Sequence, residues 1–284
     1  MSRDRYDLHT HSTASDGLLP PREVVALAAE RGLAGVALTD HDTCAGIAEA
    51  QGTAEMLGIH CIGGVELSCS SPQSPLVHIL GYFIDPEHPG LNALFDEMRA
   101  QRTERAAAIV ARVNELTGLL TMDDVLAQSA GAPPGRPHIA RAMVDLAIIS
   151  DIDEAFQDTW FGPQGRAFVS RAGIPVERAI ATIHDAGGVA VYAHPGARGS
   201  RESSEAAVRY AAANGLDGIE VDHPAHDGDA LERAVNLALE FGLVQTAGSD
   251  DHATGREGSR LGCRTVPQRI VDALGARAAA RTPG

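Results

Sequence analysis

The amino-acid sequence alternates short runs rich in Val, Ile and Leu with longer stretches of Ala, Leu, Glu and Arg at helical spacing. This alternation favours a parallel sheet of βαβ units with helices packed outside it. Strands are predicted over residues 5–9, 34–39, 60–68, 76–84, 188–193, 218–221 and 243–247. A chain of 284 residues is long enough to close such strands into one barrel-sized domain. We therefore expect a seven-stranded α/β barrel.

The alternation breaks between the fourth and fifth predicted strands. Residues 91–116 have the pattern of one long helix, and residues 121–171 predict shorter helices separated by turns rich in Gly and Pro. About 80 residues without a strand are too many for an ordinary barrel connection. The sequence thus predicts a barrel domain over residues 1–90 and 172–284, and a helical insertion over residues 91–171 that covers the active-site rim.

The composition excludes several classes of function. All 23 basic residues are arginine, so no lysine is available for a Walker A motif, a Schiff base or a general base. The net charge of −15 disfavours duplex nucleic acid as a partner. The sequence contains no apolar run approaching the roughly 20 residues of a membrane span, and its four scattered cysteines fit a reducing compartment. A cytoplasmic protein without membrane contact is expected.

The strongest local signal follows the first predicted strand, in residues 7–17. His9 and His11 are two residues apart, so the period of a strand places both imidazoles on one face. Asp16 lies in the turn that follows and can supply a hard oxygen ligand. A single histidine in this position is more often an ordinary hydrogen-bonded residue. The complete segment instead predicts a pair of imidazoles that binds a metal ion.

Side chains of the types that bind metals recur at the later predicted strands. They are Asp40 and His41 after the second strand, Glu66 on the third, His78 on the fourth, His194 after the fifth, and Asp250 and His252 after the seventh. Parallel barrels carry their chemistry at the carboxyl ends of their strands, so we expect these residues to converge. Asp40 is expected to accept a hydrogen bond from a liganding imidazole. Imidazole and carboxylate ligands without thiolates favour manganese, iron or zinc in a catalytic role.

These segments resemble the motifs of the polymerase and histidinol phosphatase (PHP) family of phosphoesterases. Residues 9–17 match the pattern H-x-H-x-x-x-S-D-G, and residues 39–41, 194–195 and 249–252 match the other three motifs. The resemblance covers nearly the whole chain outside the insertion. It implies a distorted (βα)7 TIM-like barrel with a helical insertion after strand four.

The same resemblance implies three divalent ions, with manganese expected and iron or zinc as alternatives. It assigns His9, His11, Glu66 and Asp250 to the first ion, Glu66, His78 and His194 to the second, and Asp16, His41 and His252 to the third. Three carboxylates against three divalent ions leave a positive site that suits a phosphate dianion. The expected reaction is attack on phosphorus by a hydroxide that bridges the ions.

Within the family, the chain is most similar to the stand-alone nucleotide phosphoesterases of the YciV or TrpH-like group. The similarity lies in residues 135–139 and 220–226. It implies removal of the 3′-phosphate from 3′,5′-bisphosphonucleotides such as pAp, as bacterial 3′,5′-nucleotide bisphosphate phosphatases do. The candidate substrate-binding residues are Arg136, His138, Arg198, His223 and His226. Arginine binds phosphate through two hydrogen bonds, and either of the last two histidines could protonate a leaving oxygen. An ordinary loop or structural role is about as common for such residues.

Other functions stay open on the sequence. They are 5′-to-3′ trimming of short RNA, hydrolysis of histidinol phosphate, hydrolysis of a carbon–nitrogen bond as in related barrel amidohydrolases, and non-catalytic sensing of a metal or phosphate. The insertion argues against histidinol phosphate, and the missing lysine argues against many amidohydrolases. The complete ligand set argues against a sensor. The expected partner is a small nucleotide or a short RNA end, and the sequence leaves the oligomeric state open.

Overall fold

The computed structural model describes residues 4–129, 134–170, 173–197, 201–253 and 258–281. The chain divides into two compact units. Unit 1 comprises Met1–Ala93 and Gly173–Gly284, and unit 2 comprises Leu94–Ala172. No α-helix within the described ranges combines the length and the apolar character that a membrane span requires.

The strands and helices follow one another along the chain in mixed α/β order. The strands are β1 (Arg5–Thr10), β2 (Gly35–Leu38), β3 (His60–Ser71), β4 (Ser74–Tyr82), β5 (Ile174–Pro175), β6 (Val189–Tyr192), β7 (Gly218–Asp222), β8 (Val244–Ala247) and β9 (Val266–Pro267). The helices are α1 (Pro21–Glu30), α2 (Ile47–Leu57), α3 (Pro89–Thr117), α4 (Met122–Ser129), α5 (Arg136–Asp145), α6 (Ile152–Phe156), α7 (Val176–Asp185), α8 (Arg201–Ala213), α9 (Gly228–Phe241) and α10 (Gln268–Ala279). The seven predicted strands correspond to β1–β4 and β6–β8, whereas the two-residue strands β5 and β9 were not predicted.

Within the described residues, the strands form one nine-stranded sheet in the order β8-β7-β6-β4-β3-β2-β1-β9, with β5 paired to β3. The strands β1, β2 and β3 run parallel to one another, and so do β6, β7 and β8. Strand β4 is antiparallel to both of its neighbours. The expectation of an all-parallel sheet is therefore wrong for β4. Only residues 72–73 separate β3 from β4, and a loop this short allows a hairpin but no crossover.

The sheet curls into a nearly closed barrel, and a buried carboxylate holds its two ends together. Asp7 Oδ1 accepts a hydrogen bond from Ser249 N at 2.9 Å, and Asp7 Oδ2 accepts one from Gly262 N at 2.7 Å. Burial raises the pKa of Asp7 to about 6. A Cβ atom on Gly248 would lie 2.2 Å from His9 Cβ, so only glycine permits this approach. The barrel closure therefore places the loop that follows β8 directly beside β1.

Apolar side chains stabilise this arrangement on both sides of the sheet. One buried cluster joins the strands to α10 and includes Leu8, Leu80, Val191 and Leu274. A second cluster packs α1 and α2 against β2. Burial of this apolar surface is the main favourable contribution to folding, and it fixes the strands whose ends carry the polar site.

Unit 2 is helical and has a hydrophobic core of its own, as expected for the insertion. Its core includes Ile109, Ile139, Trp160 and Phe161, all of which are buried. Trp160 and Phe161 therefore act as core residues. Phe156 is 38 % exposed and packs its ring edge to face against Phe161. Coverage of the barrel rim by this unit stays a prediction.

Candidate metal centre

The nine predicted metal ligands all lie in unit 1, and five of them bring an imidazole to Glu66, a buried residue of β3. Glu66 Oε2 lies 3.1 Å from His9 Nε2 and 3.2 Å from His11 Nε2. The same oxygen lies 3.2 Å from His41 Nδ1, which follows β2. Three imidazoles from two neighbouring strands thus face one carboxylate oxygen.

The other oxygen of Glu66 faces two further imidazoles. Glu66 Oε1 lies 2.6 Å from His78 Nδ1 and 3.0 Å from His194 Nε2. His78 pairs with Ser68 across the β3–β4 hairpin, and Ser68 points to the same face of β3 as Glu66. His78 lies in the middle of β4 (Ser74–Tyr82) and not at the carboxyl end of a parallel strand. Its imidazole still reaches the site through the hairpin register.

Asp250 joins this cluster from the loop after β8. Its Oδ1 lies 3.2 Å from His11 Nε2 and 3.5 Å from His9 Nε2. His9, His11, Glu66 and Asp250 each bring one donor atom within 4.8 Å of the others. This group coincides with the ligand set expected for the first ion. Asp250 adopts φ 50°, a left-handed conformation that costs free energy and is typical of functional positions.

The most exposed part of the centre contains Asp16 and His252. Asp16 Oδ1 lies 3.3 Å from His252 Nε2, and Asp16 Oδ2 lies 3.9 Å from His41 Nε2. These three residues have donor atoms within 4.8 Å of one another and of His11. The His252 ring also stacks on the His11 ring with centroids 4.0 Å apart. The structure thus adds His11 to the set expected for the third ion.

The set expected for the second ion is arranged differently. His41, Glu66 and His78 have donor atoms within 4.8 Å of one another. His194 contacts Glu66 Oε1 but lies outside that group. A single cation between Glu66 and His78 would therefore have His41 as a near neighbour as well.

The donor set fits divalent cations. His11 Nδ1, His11 Nε2 and His41 Nδ1 are buried and make no hydrogen bond with any described residue. A buried nitrogen without a hydrogen bond costs about 1–3 kcal/mol, and coordination of a cation would remove that cost. The mixture of imidazoles with Asp and Glu suits manganese, iron or zinc.

The pKa values in the cluster depend strongly on one another. Burial disfavours the ionised form of Glu66, but the imidazoles of His41, His78 and His9 hold its pKa well below the usual range. Burial also disfavours protonated His11, yet the carboxylates of Asp250 and Glu66, each 3.2 Å from its Nε2, raise its pKa to about 9. His11 would therefore have to lose a proton before it could coordinate a cation.

Glu220, a buried residue of β7, is a functional candidate that sequence reasoning missed. His9 Nδ1 lies 3.1 Å from Glu220 Oε1, and His194 N donates to Glu220 Oε2 at 2.9 Å. If His9 Nδ1 carries the proton and donates a hydrogen bond to Glu220, the other ring nitrogen, Nε2, keeps a free lone pair on the side of Glu66. The available signal was an acidic residue inside the apolar strand Gly-Ile-Glu-Val. The Glu220 carboxylate thus orients two proposed ligands. It contacts the imidazole of His9 and the backbone N–H of His194.

Asp40 has a different role from the one expected. It accepts hydrogen bonds from Ser12 N and Ser12 Oγ, both at 2.7 Å, and from Ser15 Oγ at 2.6 Å. No imidazole in the described ranges donates to it. Asp40 therefore shapes the turn that carries Asp16, because it holds both serines of the first motif.

The candidate substrate-binding residues of unit 1 lie beside the centre. His223 is buried, and its Nε2 lies 3.3 Å from Asp250 Oδ2. His226 Nδ1 lies 2.9 Å from Val221 O, and the rings of the two histidines are 5.5 Å apart. Burial lowers the pKa of His226, so its imidazole is neutral at pH 7.

The remaining candidates lie elsewhere. Arg136 and His138 belong to unit 2, at the start of α5, where the Arg136 guanidinium lies 5.5 Å from the centroid of the Phe156 ring. His138 Nδ1 accepts a hydrogen bond from Gly135 N. A contact of Arg136 or His138 with substrate stays a prediction. Arg198 lies outside the described residues.

Comparison with known proteins agrees with this geometry. Residues 7–132 match the PHP domain. The chain is 38 % identical to a 3′,5′-nucleoside bisphosphate phosphatase of Chromobacterium violaceum, over 90 % of this chain and 90 % of that protein. The chain belongs to the PHP family. The family assignment made from the four motifs is thereby confirmed.

Two further relatives of this PHP protein extend the comparison. It is 37 % identical to a 5′-3′ exoribonuclease of Haemophilus influenzae, over 87 % of this chain and 90 % of that protein. A solved structure from Bifidobacterium adolescentis, described as a metal-dependent phosphoesterase, superimposes with a TM-score of 0.80 at 33 % identity and covers 96 % of both chains. The distorted TIM-like barrel is therefore confirmed. The PHP protein is a metal-dependent phosphoesterase, and its relatives differ in their substrates.

Proposed function

We propose that this PHP protein removes the 3′-phosphate from 3′,5′-bisphosphonucleotides such as pAp and releases AMP and phosphate. The observation that carries the proposal is the convergence of five imidazoles on Glu66, with Asp16 and Asp250 at the open side. The similarity to the Chromobacterium violaceum phosphatase over nine tenths of the chain supports the choice of substrate.

The nine proposed ligands, which are Glu66 and eight further side chains, would hold the divalent ions, which we propose to be three manganese ions, with iron or zinc as alternatives. Such ions lower the pKa of water towards neutrality and offset the charge of a phosphate. The protein's own contribution is to place the donors. Glu66 lies between two sets of imidazoles, while Asp250 and Asp16 bring the negative charge that keeps cations at the exposed side.

His223 is the proposed proton donor to the leaving oxygen. Its ring is buried beside those of His194 and His9, with centroids 5.2 Å and 6.3 Å away. His223 Nε2 lies 3.3 Å from Asp250 Oδ2, which places its ring beside a proposed metal ligand, where a general acid must lie to act on a bound substrate. His226 accordingly has the proposed role of a neutral neighbour that keeps the site dry.

A substrate panel tests this function directly. Purified protein loaded with manganese is incubated with pAp, 5′-phosphorylated oligoribonucleotides, histidinol phosphate and a lactam. We expect the highest kcat/KM for pAp, with AMP as the nucleoside product. A highest value for histidinol phosphate, or turnover of the lactam alone, would contradict the proposal.

A second candidate is 5′-to-3′ exoribonuclease activity on short RNA. It is favoured by the similarity to the Haemophilus influenzae enzyme, which is almost as high as that to the phosphatase. The net charge of −15 still disfavours long duplexes. Release of 5′-mononucleotides from a 5′-phosphorylated pentamer faster than phosphate from pAp would establish this alternative.

A further inference from the structure

The exposure of the ligand side chains increases across the centre. Glu66 is 1 % exposed, whereas His252 is 35 % and Asp16 59 % exposed. Among the proposed ligands, Asp16 and His252 therefore mark the side of the centre that is most open to solvent. Any group that binds the non-reacting part of the substrate is expected on that side.

Arg260 lies at this exposed side. Its Nη2 donates a hydrogen bond to Asp250 O at 2.7 Å, and His252 Nδ1 lies 3.1 Å from the same oxygen. The guanidinium and the His252 imidazole are therefore neighbours. The Arg260 side chain is 49 % exposed, so much of its donor surface faces solvent beside Asp250 and His252.

The backbone that carries Arg260 is held in place. Asp251 Oδ1 accepts a hydrogen bond from Arg260 N at 2.9 Å, and Asp251 Oδ2 accepts one from Ser259 Oγ at 2.6 Å. The carbonyl of the preceding residue is held as well, because Ser259 O accepts a hydrogen bond from Arg31 Nη2 at 3.0 Å. Because this backbone is already fixed, ligand binding by Arg260 requires ordering of the side chain alone and not of the loop.

The positive charge of Arg260 is only weakly offset. The Arg260 guanidinium donates its hydrogen bond to a backbone carbonyl, that of Asp250. In the described part of the chain, the carboxylate oxygen that lies within 4 Å of the guanidinium is Asp250 Oδ2, at 3.9 Å. The neighbouring Arg264 differs, because its Nε lies 2.7 Å from Asp222 Oδ1 in a close ion pair. Arg260 therefore has guanidinium donors left for a second anion.

We propose that Arg260 binds the non-reacting phosphate of a substrate that carries two phosphates. The proposal rests on the proposed phosphatase function. A phosphate held at the exposed side by Arg260 would direct the other phosphate towards Glu66 and its imidazoles. Arg260 would thereby select bisphosphorylated nucleotides over nucleotides with one phosphate.

The test compares pAp with 3′-AMP, which has the same reacting phosphate but lacks the second one. We expect Arg260→Ala to lower kcat/KM for pAp by about tenfold to a hundredfold, mainly through KM, because a charge-assisted pair with phosphate is lost. For 3′-AMP the same substitution should change kcat/KM by less than about twofold. Arg260→Lys should fall between wild type and Arg260→Ala, since it keeps the charge but not the planar pair of donors.

Arg209→Ala serves as the matched control, because Arg209 is an exposed arginine of α8 that pairs with Glu240 on α9. It should leave both substrates unaffected. Bound manganese is measured in each variant, and Arg260→Gln replaces the alanine variant if that variant is unstable. An equal loss on both substrates would indicate a purely structural role and overturn the proposal. An unchanged preference for pAp would also overturn it, whereas a wild-type protein without activity on pAp would refute the phosphatase function itself.

Discussion

Two buried carboxylates of the barrel, Glu66 and Asp217, both contact histidine but differ in how their charge is neutralised. Asp217 precedes β7, at the amino ends of the parallel strands. It accepts hydrogen bonds from Ala190 N at 2.9 Å and Arg281 Nη2 at 2.6 Å, and lies 2.8 Å from His184 Nε2. Glu66 instead faces five imidazoles and, in the described part of the chain, no arginine within 4 Å.

The comparison shows which property distinguishes a candidate metal centre from a structural ion pair. A buried acid beside a histidine is common to both regions. Around Asp217 an arginine neutralises the carboxylate, whereas around Glu66 buried nitrogens of His11 and His41 have no hydrogen bond among the described residues. Buried donor atoms that face one point without a hydrogen bond therefore indicate a site suited to a cation, whereas carboxylates with complete hydrogen bonds and ion pairs indicate a role in stability.

The largest expected effect follows from removing the central carboxylate. Glu66→Gln keeps the size of the side chain but removes the charge that faces the imidazoles. We expect hydrolysis of pAp to fall by roughly a thousandfold or more, because several kcal/mol of stabilisation by the ions is lost. Metal content measured by elemental analysis should fall as well, while the circular dichroism spectrum stays that of a folded protein. Full activity with a normal metal content would remove Glu66 from the centre.

A smaller effect is expected from Glu220→Gln, which weakens the orientation of His9 without removing a ligand. Manganese affinity should fall by about tenfold to a hundredfold, as is typical when a carboxylate behind a ligating histidine is lost. The affinity is read from a metal titration. Excess manganese should restore most of kcat in this variant but not in Glu66→Gln. No recovery at saturating manganese would mean that Glu220 does not act through metal binding.

Metal binding should also depend on pH in a defined direction. The pKa of His11 is raised to about 9, so this imidazole would have to release a proton in order to bind a cation. Apparent manganese affinity should therefore fall by up to about tenfold per pH unit as the pH decreases below 9. Calorimetric titrations in buffers of different ionisation enthalpy count the protons released. Affinity independent of pH from 6 to 9 would exclude this linkage.

The smallest effect on catalysis is expected from Asp217→Asn. Burial raises the pKa of Asp217, but His184, Ala190 N and Arg281 lower it by more, so the net shift is downward. The ionised carboxylate thus stabilises the fold above its unfolded pKa, and this contribution is lost as the pH falls through the lower folded value. The substitution should reduce the free energy of unfolding at pH 7 by about 1–3 kcal/mol in urea titrations. A large change in kcat at full metal loading would show that Asp217 is not a purely structural residue and would contradict the distinction drawn between it and Glu66.

Much of the barrel could be predicted from the sequence because strand and helix periods are local. The apolar runs identified β1–β4 and β6–β8. The four motifs indicated seven of the nine proposed ligands, and the places of Glu66 and His78 on predicted strands indicated the other two. The direction of β4 was missed, although the short gap before it already disfavoured a crossover. A strand's alternation of side chains is the same in either direction, so the pattern alone could not reveal the hairpin.

The sequence by itself determined the fold class, the family and the donor types, because each of these depends on short segments with their own periodicity or spacing. Only the tertiary structure revealed Glu220 behind His9, 211 residues away along the chain, and Arg260 beside Asp250 and His252. The physical reason is that hydrogen bonds and charge pairs form between atoms a few ångströms apart. Which distant residues come that close is decided by barrel closure, the β3–β4 hairpin and the loop after β8.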